Sequence, residues 1–380
     1  MDLIRYDLGD ALGAFPASNT TSALMAYGTS GGYVSIAYWN GTLTDCPSSC
    51  PALASNYYYI FGTAAVAAAA ITLQDLQVSL AGSNAAVTTN FSTTSMLLNG
   101  AHSRPMSRRV AKGERTFWVA GDWGKDDHGA KSGATGLAEV GVGYNYGPVQ
   151  INASLGRTWN DQQLAEHGSV RATGQYLMVE GIVPLSEAHG VYATLGAYGH
   201  WGEADIVRGY YNMGAQDASH ASPNTETWGL RARVDWENAV QIKRTALSPY
   251  ADLSFSRSMV DRYTERDGGL PARFDGRTEE VTELRLGLNS ATALGASGYA
   301  LVTSLEAAHR FDERGARSTG EVIGLFSFDL DGQDYDTDWI KAGIGVEGAL
   351  AGGKLSVMLN GTTEGSALSA WLAASWQQRF

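Results

Sequence analysis

The cluster with the clearest chemical potential in this chain is Asp126-Asp127-His128. A carboxylate beside an imidazole can activate water for hydrolysis when both face a bound substrate. His200 and His220 reach the same rim if the elements that carry them end together. Spacing alone fixes no such geometry, and a solvated turn is the simpler reading. The first hundred residues offer less. No histidine precedes His102, so this part cannot complete a Ser-His-Asp triad of its own. Ser30, in Gly28-Thr29-Ser30-Gly31-Gly32, lacks the flanking pattern of a nucleophile elbow, and a Gly-rich turn accounts for it. Cys46 and Cys50 have no neighbouring histidine with which to complete a zinc site. They either close a small disulfide loop, which an oxidising compartment permits, or remain two thiols. No catalytic residue, metal or cofactor is expected.

A second set of charges is more informative because of its spacing. In residues 227–236 one parity holds Trp228, Leu230, Ala232, Val234 and Trp236, and the other holds Thr227, Gly229, Arg231, Arg233 and Asp235. Such alternation puts one face of a strand in an apolar phase and the other in water. The two tryptophans are separated by about 26 Å at ~3.3 Å per residue, and a tilt of ~40° projects this to about 20 Å. Both rings then approach the edges of an apolar band ~25 Å tall, so Trp228 and Trp236 read as part of an aromatic girdle. The same parity rule turns Glu139, Glu180, Arg231, Arg233, Asp235, Asp252, Glu283, Arg285, Glu306 and Lys341 toward the water-filled side.

The elements that carry these charges recur along the chain. Val140, Val142 and Tyr144 oppose Glu139; Leu177 and Val179 oppose Glu180; Leu253 and Phe255 oppose Asp252. Leu284, Leu286 and Leu288 oppose Glu283 and Arg285, Leu305 and Ala307 oppose Glu306, and Ile340, Ala342 and Ile344 oppose Lys341. Together with 117–123, 149–155, 191–201, 355–359 and the terminal segment, these make twelve strand candidates of bilayer-crossing length. Short connections (147–148, 186–190, 290–298, 351–353) alternate with long ones (125–134, 202–223, 257–276, 311–333). The long ones hold most of the Asp, Arg and Gly, as water-exposed loops should.

Composition fits this reading. Hydrophobic residues are 44% of the chain and mean hydropathy is −0.16, too polar for a bundle of lipid-spanning helices, while 46 glycines and 10% aromatics suit many half-polar strands. A net charge of −12 argues against nucleic acid. The run from Phe61 to Leu73 falls short of the ~20 residues a spanning helix needs. Residues 1–100 contain no Lys, Glu or His, and nine of the ten tryptophans follow them, which places a boundary near residue 100. Between the two parts, residues 92–110 read as a helix that Ser92 or Thr93 caps and that Gly100 and Pro105 weaken. Its later half carries Arg104, Arg108 and Arg109, which suits a wet lumen lined by carboxylates and charge-assisted hydrogen bonding. The start, Met1-Asp2-Leu3-Ile4-Arg5-Tyr6-Asp7, lacks the basic and then apolar pattern of a secretory signal, so the chain reads as a fragment or truncated frame.

The chain closes with Ala370-Trp371-Leu372-Ala373-Ala374-Ser375-Trp376-Gln377-Gln378-Arg379-Phe380. Leu372, Trp376 and Phe380 share one face, with Gln378 as a polar departure. An apolar strand ending in Phe fits the closing strand of an outer-membrane barrel, where closure removes an edge that would otherwise aggregate. With this strand, the twelve candidates, the pre-barrel helix and the stretch Phe328 to Tyr335 followed by 339–348, residues 91–380 resemble the translocator domain of classical autotransporters, the type V secretion proteins of bacteria. The resemblance implies a 12-stranded antiparallel outer-membrane β-barrel over 113–380, a lumenal plug helix over 91–112, and a passenger remnant or linker over 1–90. It implies export and surface anchoring of the chain's own N-terminal passenger. The implied partners are outer-membrane lipid, barrel assembly machinery and periplasmic chaperones, and the terminal Leu372, Trp376 and Phe380 are the implied assembly signal. An autonomous porin-like channel is the first rival, and a rim-sited hydrolase the second.

Overall fold

A strand with one apolar and one polar face can lie in lipid only if every backbone N–H and C=O on it is paired. In the computed structural model, which describes residues 23–24, 71–82, 92–128, 131–212, 215–295, 298–363 and 369–380, the sheet meets this demand by closing on itself. Twelve strands form the barrel wall. They are β1 (Arg115–His128), β2 (Lys131–Asn145), β3 (Gln150–Gln163), β4 (Ser169–Ser186), β5 (Val191–Asn212) and β6 (Asn224–Trp236). The second half adds β7 (Thr245–Val260), β8 (Arg277–Ala293), β9 (Tyr299–Arg310), β10 (Asp338–Leu350), β11 (Gly353–Thr362) and β12 (Ala370–Arg379). Each pairs antiparallel with its sequence neighbours, and β12 closes on β1 with Leu372 opposite Trp123 and Arg379 opposite Thr116. Beyond the last pair, Arg115 and Phe380 exchange both backbone hydrogen bonds, at 2.8 and 3.1 Å.

The alternation in the sequence becomes inside and outside. Trp228, Leu230, Val234 and Trp236 face outward and exposed, as do Trp123 and Trp201, while the intervening residues of β6 are buried. One end of the barrel has tight turns. Ala351 and Gly352, both with positive φ, make the two-residue link from β10 to β11, the twist-matching turn of a hairpin. At the turn between β2 and β3, Asn145 Oδ1 accepts from the Gly147 N–H at 2.8 Å, so the side chain stands in for a backbone turn bond.

The other end departs from the expected loops. The connections at 125–134 and 202–223 are in large part strand: β1 and β2 run to His128 and from Lys131, and β5 continues to Asn212 and pairs with a further strand, Ala215–Ala221. Beyond the lipid a polar sequence still satisfies its backbone by pairing, so the strand does not stop where its alternation does. The connections at 257–276 and 311–333 contribute a second sheet of four strands, Tyr263–Thr264, Ala272–Phe274, Ser318–Val322 and Phe326–Leu330. Against this sheet packs α1 (Leu73–Gly82).

The continuous helix expected over 92–110 is broken. Residues 92–96 are helical and widen into a π-turn at Leu97–Ala101, and only a 3-10 turn follows at Pro105–Arg108. Pro105 lacks an N–H and drives the preceding residue out of the helical region, and Arg104 accordingly sits at φ −130°, ψ 69°. Among the described residues no helix is long and apolar enough to cross a membrane. Ser30, Cys46 and Cys50 lie outside the described residues.

Candidate functional site

The lumen is filled by the chain itself. Residues 92–110 enter from the long-loop end and leave at the tight-turn end, where the chain joins β1. The exit is fixed by two side chains next to the Gly147 turn: Asn145 Nδ2 donates to the Val110 carbonyl at 2.7 Å, and Gln150 accepts from the Val110 N–H and donates to the Arg108 carbonyl, each at 2.8 Å. Upstream, Met96, Leu97 and Leu98 pack on inward-facing Leu137, Tyr176, Met178, Tyr198 and Trp371. Gly100 passes so close to β1 that a Cβ there would lie 2.7 Å from the Asp122 carboxylate, so only glycine fits.

Between these apolar and backbone contacts sits a charged joint. Glu139 on β2 accepts from four groups at 2.8 Å: His102 Nε2, Arg108 Nη2, Trp118 Nε1 and the Tyr176 hydroxyl. The other imidazole nitrogen, Nδ1, lies 2.8 Å from Glu180 Oε2. Both ring nitrogens therefore lie within hydrogen-bond reach of a carboxylate. Arg108 Nη1 lies 2.8 Å from Nδ1 as well, so that nitrogen sits between a carboxylate and a guanidinium, and the guanidinium stacks 4.6 Å from the Trp118 ring. From β6, Arg231 Nη1 donates to the His102 carbonyl at 2.7 Å while its Nε grips Asp252. Lys341 reaches the Asn99 carbonyl at 3.2 Å.

The sequence-predicted lumen charges divide into two sets. All ten are at most 8% exposed, so each faces inward. Glu139, Glu180, Arg231 and Lys341 touch the threaded segment. The others brace the wall: Arg233 binds Asp235 at 2.7 Å and stacks 3.6 Å from the Tyr250 ring, and Arg285 bridges Glu306 at 2.9 Å and Glu283. Asp252 belongs to this set through Arg231 and Arg233. The three arginines of the plug are unequal. Arg108 is buried against Glu139, Arg104 reaches Glu347 at 3.0 Å near the barrel end, and Arg109 is a third exposed, 3.5 Å from Glu237 and stacked on Tyr192.

Sequence reasoning did not single out His102 or Trp118. Alternation put Glu347 on the face of Lys341, and Gln150 opposite Val149 and Ile151, but gave neither a contact with the threaded segment. Nothing in the spacing identifies His102, whose role follows from its partners on two different strands.

The histidines of the rim do not assemble into a site. His200 points into the lumen and meets Thr158 Oγ1 at 2.8 Å. His220 pairs opposite Val207, which lies about 23 Å up β5 from His200 at ~3.3 Å per residue. Asp126, Asp127 and His128 prolong β1 by their backbone, and their side chains lie outside the described residues. Among the described residues no group of three His, Cys, Asp or Glu side chains is placed to hold a metal ion. At the closing strand, Leu372 and Phe380 are exposed on the outer face, and Trp376 Nε1 donates to the Leu350 carbonyl at 3.0 Å.

Known proteins match this arrangement. The profile of the autotransporter β-domain family matches residues 117–362. The fold resembles the translocator domain of the autotransporter NalP from Neisseria meningitidis, with a TM-score of 0.61 and 13% identity over 80% of this chain and 99% of that one. It also resembles the β-domain of the Bordetella autotransporter BrkA, with a TM-score of 0.50 and 16% identity over 70% of this chain and 99% of that one. No curated protein matches the chain significantly. By the extent of the family match, this chain belongs to the autotransporter family and carries its β-domain.

Proposed function

We propose that the threaded lumen is the end state of an export reaction. As an autotransporter β-domain, the barrel is an outer-membrane translocator for a passenger, located in the bacterial outer membrane. In our reading residues 1–90 are the passenger remnant or linker, 91–112 the plug, and 113–380 the anchor. Barrel assembly machinery and periplasmic chaperones recognise the closing strand through Leu372, Trp376 and Phe380. No chemical step is assigned to the barrel.

The observation that carries this reading is the direction of the thread. Residue 110 is bonded beside the tight turns, and α1 lies among the long loops. Short turns mark the periplasmic end of such barrels and long loops the outside. The N-terminal part therefore leaves the pore toward the cell exterior. A porin-like channel needs an open lumen, and here Met96 to Arg108 fill it. The direct test replaces residues 1–70 with a small soluble reporter behind a cleavable secretory leader. Display of the reporter on intact cells is the expected result; a reporter trapped in the periplasm beneath a folded barrel would refute translocation.

A further inference from the structure

The four-stranded sheet built from the two longest loops has an apolar face that would be unstable in water alone. Phe274, Val322, Phe326 and Phe328 come from three strands of that sheet, and all are buried. The same buried cluster takes in Tyr210 of the β5 extension and Leu76 and Leu80 of α1, both 0% exposed, with Val78 on the opposite, exposed face of the helix. An open patch of this kind on a soluble surface calls for an occupant. The contact also has a polar lock. Arg208, on the extension of β5, donates from Nε and Nη2 to Glu265 at 2.8 and 2.6 Å, from Nη2 to the Leu270 carbonyl at 2.6 Å, and from Nη1 to Ser79 Oγ of α1 at 3.0 Å.

The location gives this contact a direction. Arg208 lies seven residues beyond the outward-facing Trp201, which pairs beside Trp228 on β6, and so about 18 Å further out along the barrel axis at ~3.3 Å per residue and ~40° tilt. The receptor face is thus outside the lipid, at the exit of the pore. The inward face just below it carries an apolar cluster of its own, Val170, Ala172, Ala204 and Ile206, against which Leu164 and Tyr263 already pack. With the chain threaded, Leu76 and Leu80 are buried in the loop-sheet cluster, and sliding back would uncover the aromatic face.

We propose that the loop sheet is a receptor for residues 73–82 of the chain's own exported segment, and that capture of Leu76 and Leu80 makes the last stage of exit directional. This rests on the translocator reading above, and the test separates the two. The full chain, preceded by a cleavable leader and tagged at Met1, is pulse-labelled in cells, and appearance of the tag outside is followed by added protease. Changing Leu76→Asp and Leu80→Asp together should slow its appearance by about tenfold, because burial of two leucines is lost. Leu76→Met with Leu80→Met should keep the normal rate. These residues lie outside the barrel wall, so heat-modifiable barrel should form equally in all three proteins. Phe274→Ser on the receptor side should reproduce the delay. An unchanged rate in the aspartate variant, with folded barrel present, overturns the receptor. Failure of the unmutated tag to reach the outside overturns the export reading itself.

Discussion

Arg108 of the threaded segment donates to Glu139 of β2 across 2.8 Å, with side-chain exposures of 5% and 0%. This pair joins the plug to the wall where water does not screen it. Removing one partner of a buried, hydrogen-bonded pair typically costs about 3–5 kcal/mol, because the other charge is left stranded. Arg108→Glu alone should therefore loosen residues 92–110, raise ion conductance in planar bilayers and open the segment to protease while leaving β-content intact. Arg109→Glu should do much less, since exposed pairs contribute about 0–1 kcal/mol. Reversal of Arg104, Arg108 and Arg109 together should resemble Arg108→Glu. Equal low conductance in all of these variants would show that Met96, Leu97 and Leu98 hold the plug without the charges.

The two faces of β6 should respond oppositely to charge. Ala232 is exposed midway between Trp228 and Trp236, and an arginine there should cost roughly 2–4 kcal/mol in urea unfolding from lipid. On the lumenal face, alternation alone suggests that Arg231→Lys and Gly229→Ser are mild. The structure reverses this. Arg231 grips Asp252 with two nitrogens and holds the His102 carbonyl with a third, a fork that lysine cannot reproduce. Gly229 lies under Tyr198, whose hydroxyl would be 2.4 Å from an added Cβ. Both lumenal changes should destabilise the barrel, with Gly229→Ser the more severe. A neutral Gly229→Ser would place Tyr198 elsewhere.

That reversal marks the limit of what the sequence makes legible. Period-two alternation determines which side a residue faces, and the inward placement of the ten charges and the twelve strands follow from it. Alternation is silent on what stands opposite: Gly229 beneath Tyr198, or His102 between Glu139 and Glu180. These contacts join residues remote in sequence through the barrel register. The helix break is a local matter, readable from Gly100 and Pro105, and weakening at these two positions becomes interruption once the chain passes Asp122. The loop sheet is harder to read: Phe326, Phe328 and Leu330 alternate with Ser327 and Asp329, but strands of two to five residues do not say which distant segment they pair with, here 263–264, 272–274 and 318–322.

The last residue adds one more backbone pair to the closing seam. Phe380 exchanges two backbone bonds with Arg115 at the tight-turn end and is 66% exposed. Deleting Phe380, or replacing Trp376 and Phe380 with Asp, should reduce heat-modifiable barrel in outer-membrane fractions at native expression. Unchanged assembly would remove the terminal strand from the recognition step.

The outer hairpin supplies a pH test. Burial pushes the Asp217 carboxyl upward, but donors from Asn212, Gly269 and Ala218 outweigh it and hold the group below the ordinary aspartate value of 3.8. A depressed folded value contributes stability that is present above the unfolded value and lost as pH falls through the folded one. Amide exchange in Ala215–Ala221 should therefore accelerate, beyond its intrinsic pH trend, only below about pH 4. Asp217→Asn should flatten that response, and an unchanged profile in the variant would assign the acid sensitivity to another group.

The central claim is that the N-terminal part of this chain lies outside the cell while its barrel remains in the membrane. Cys46 and Cys50 are the chain's two cysteines, and both precede the threaded segment. Intact cells expressing the chain behind a secretory leader can be treated with a mild reductant and then with a membrane-impermeant maleimide. The account predicts full labelling of the barrel-bearing chain without disruption of the outer membrane. Labelling that appears only after the outer membrane is opened would place residues 46 and 50 in the periplasm and contradict it.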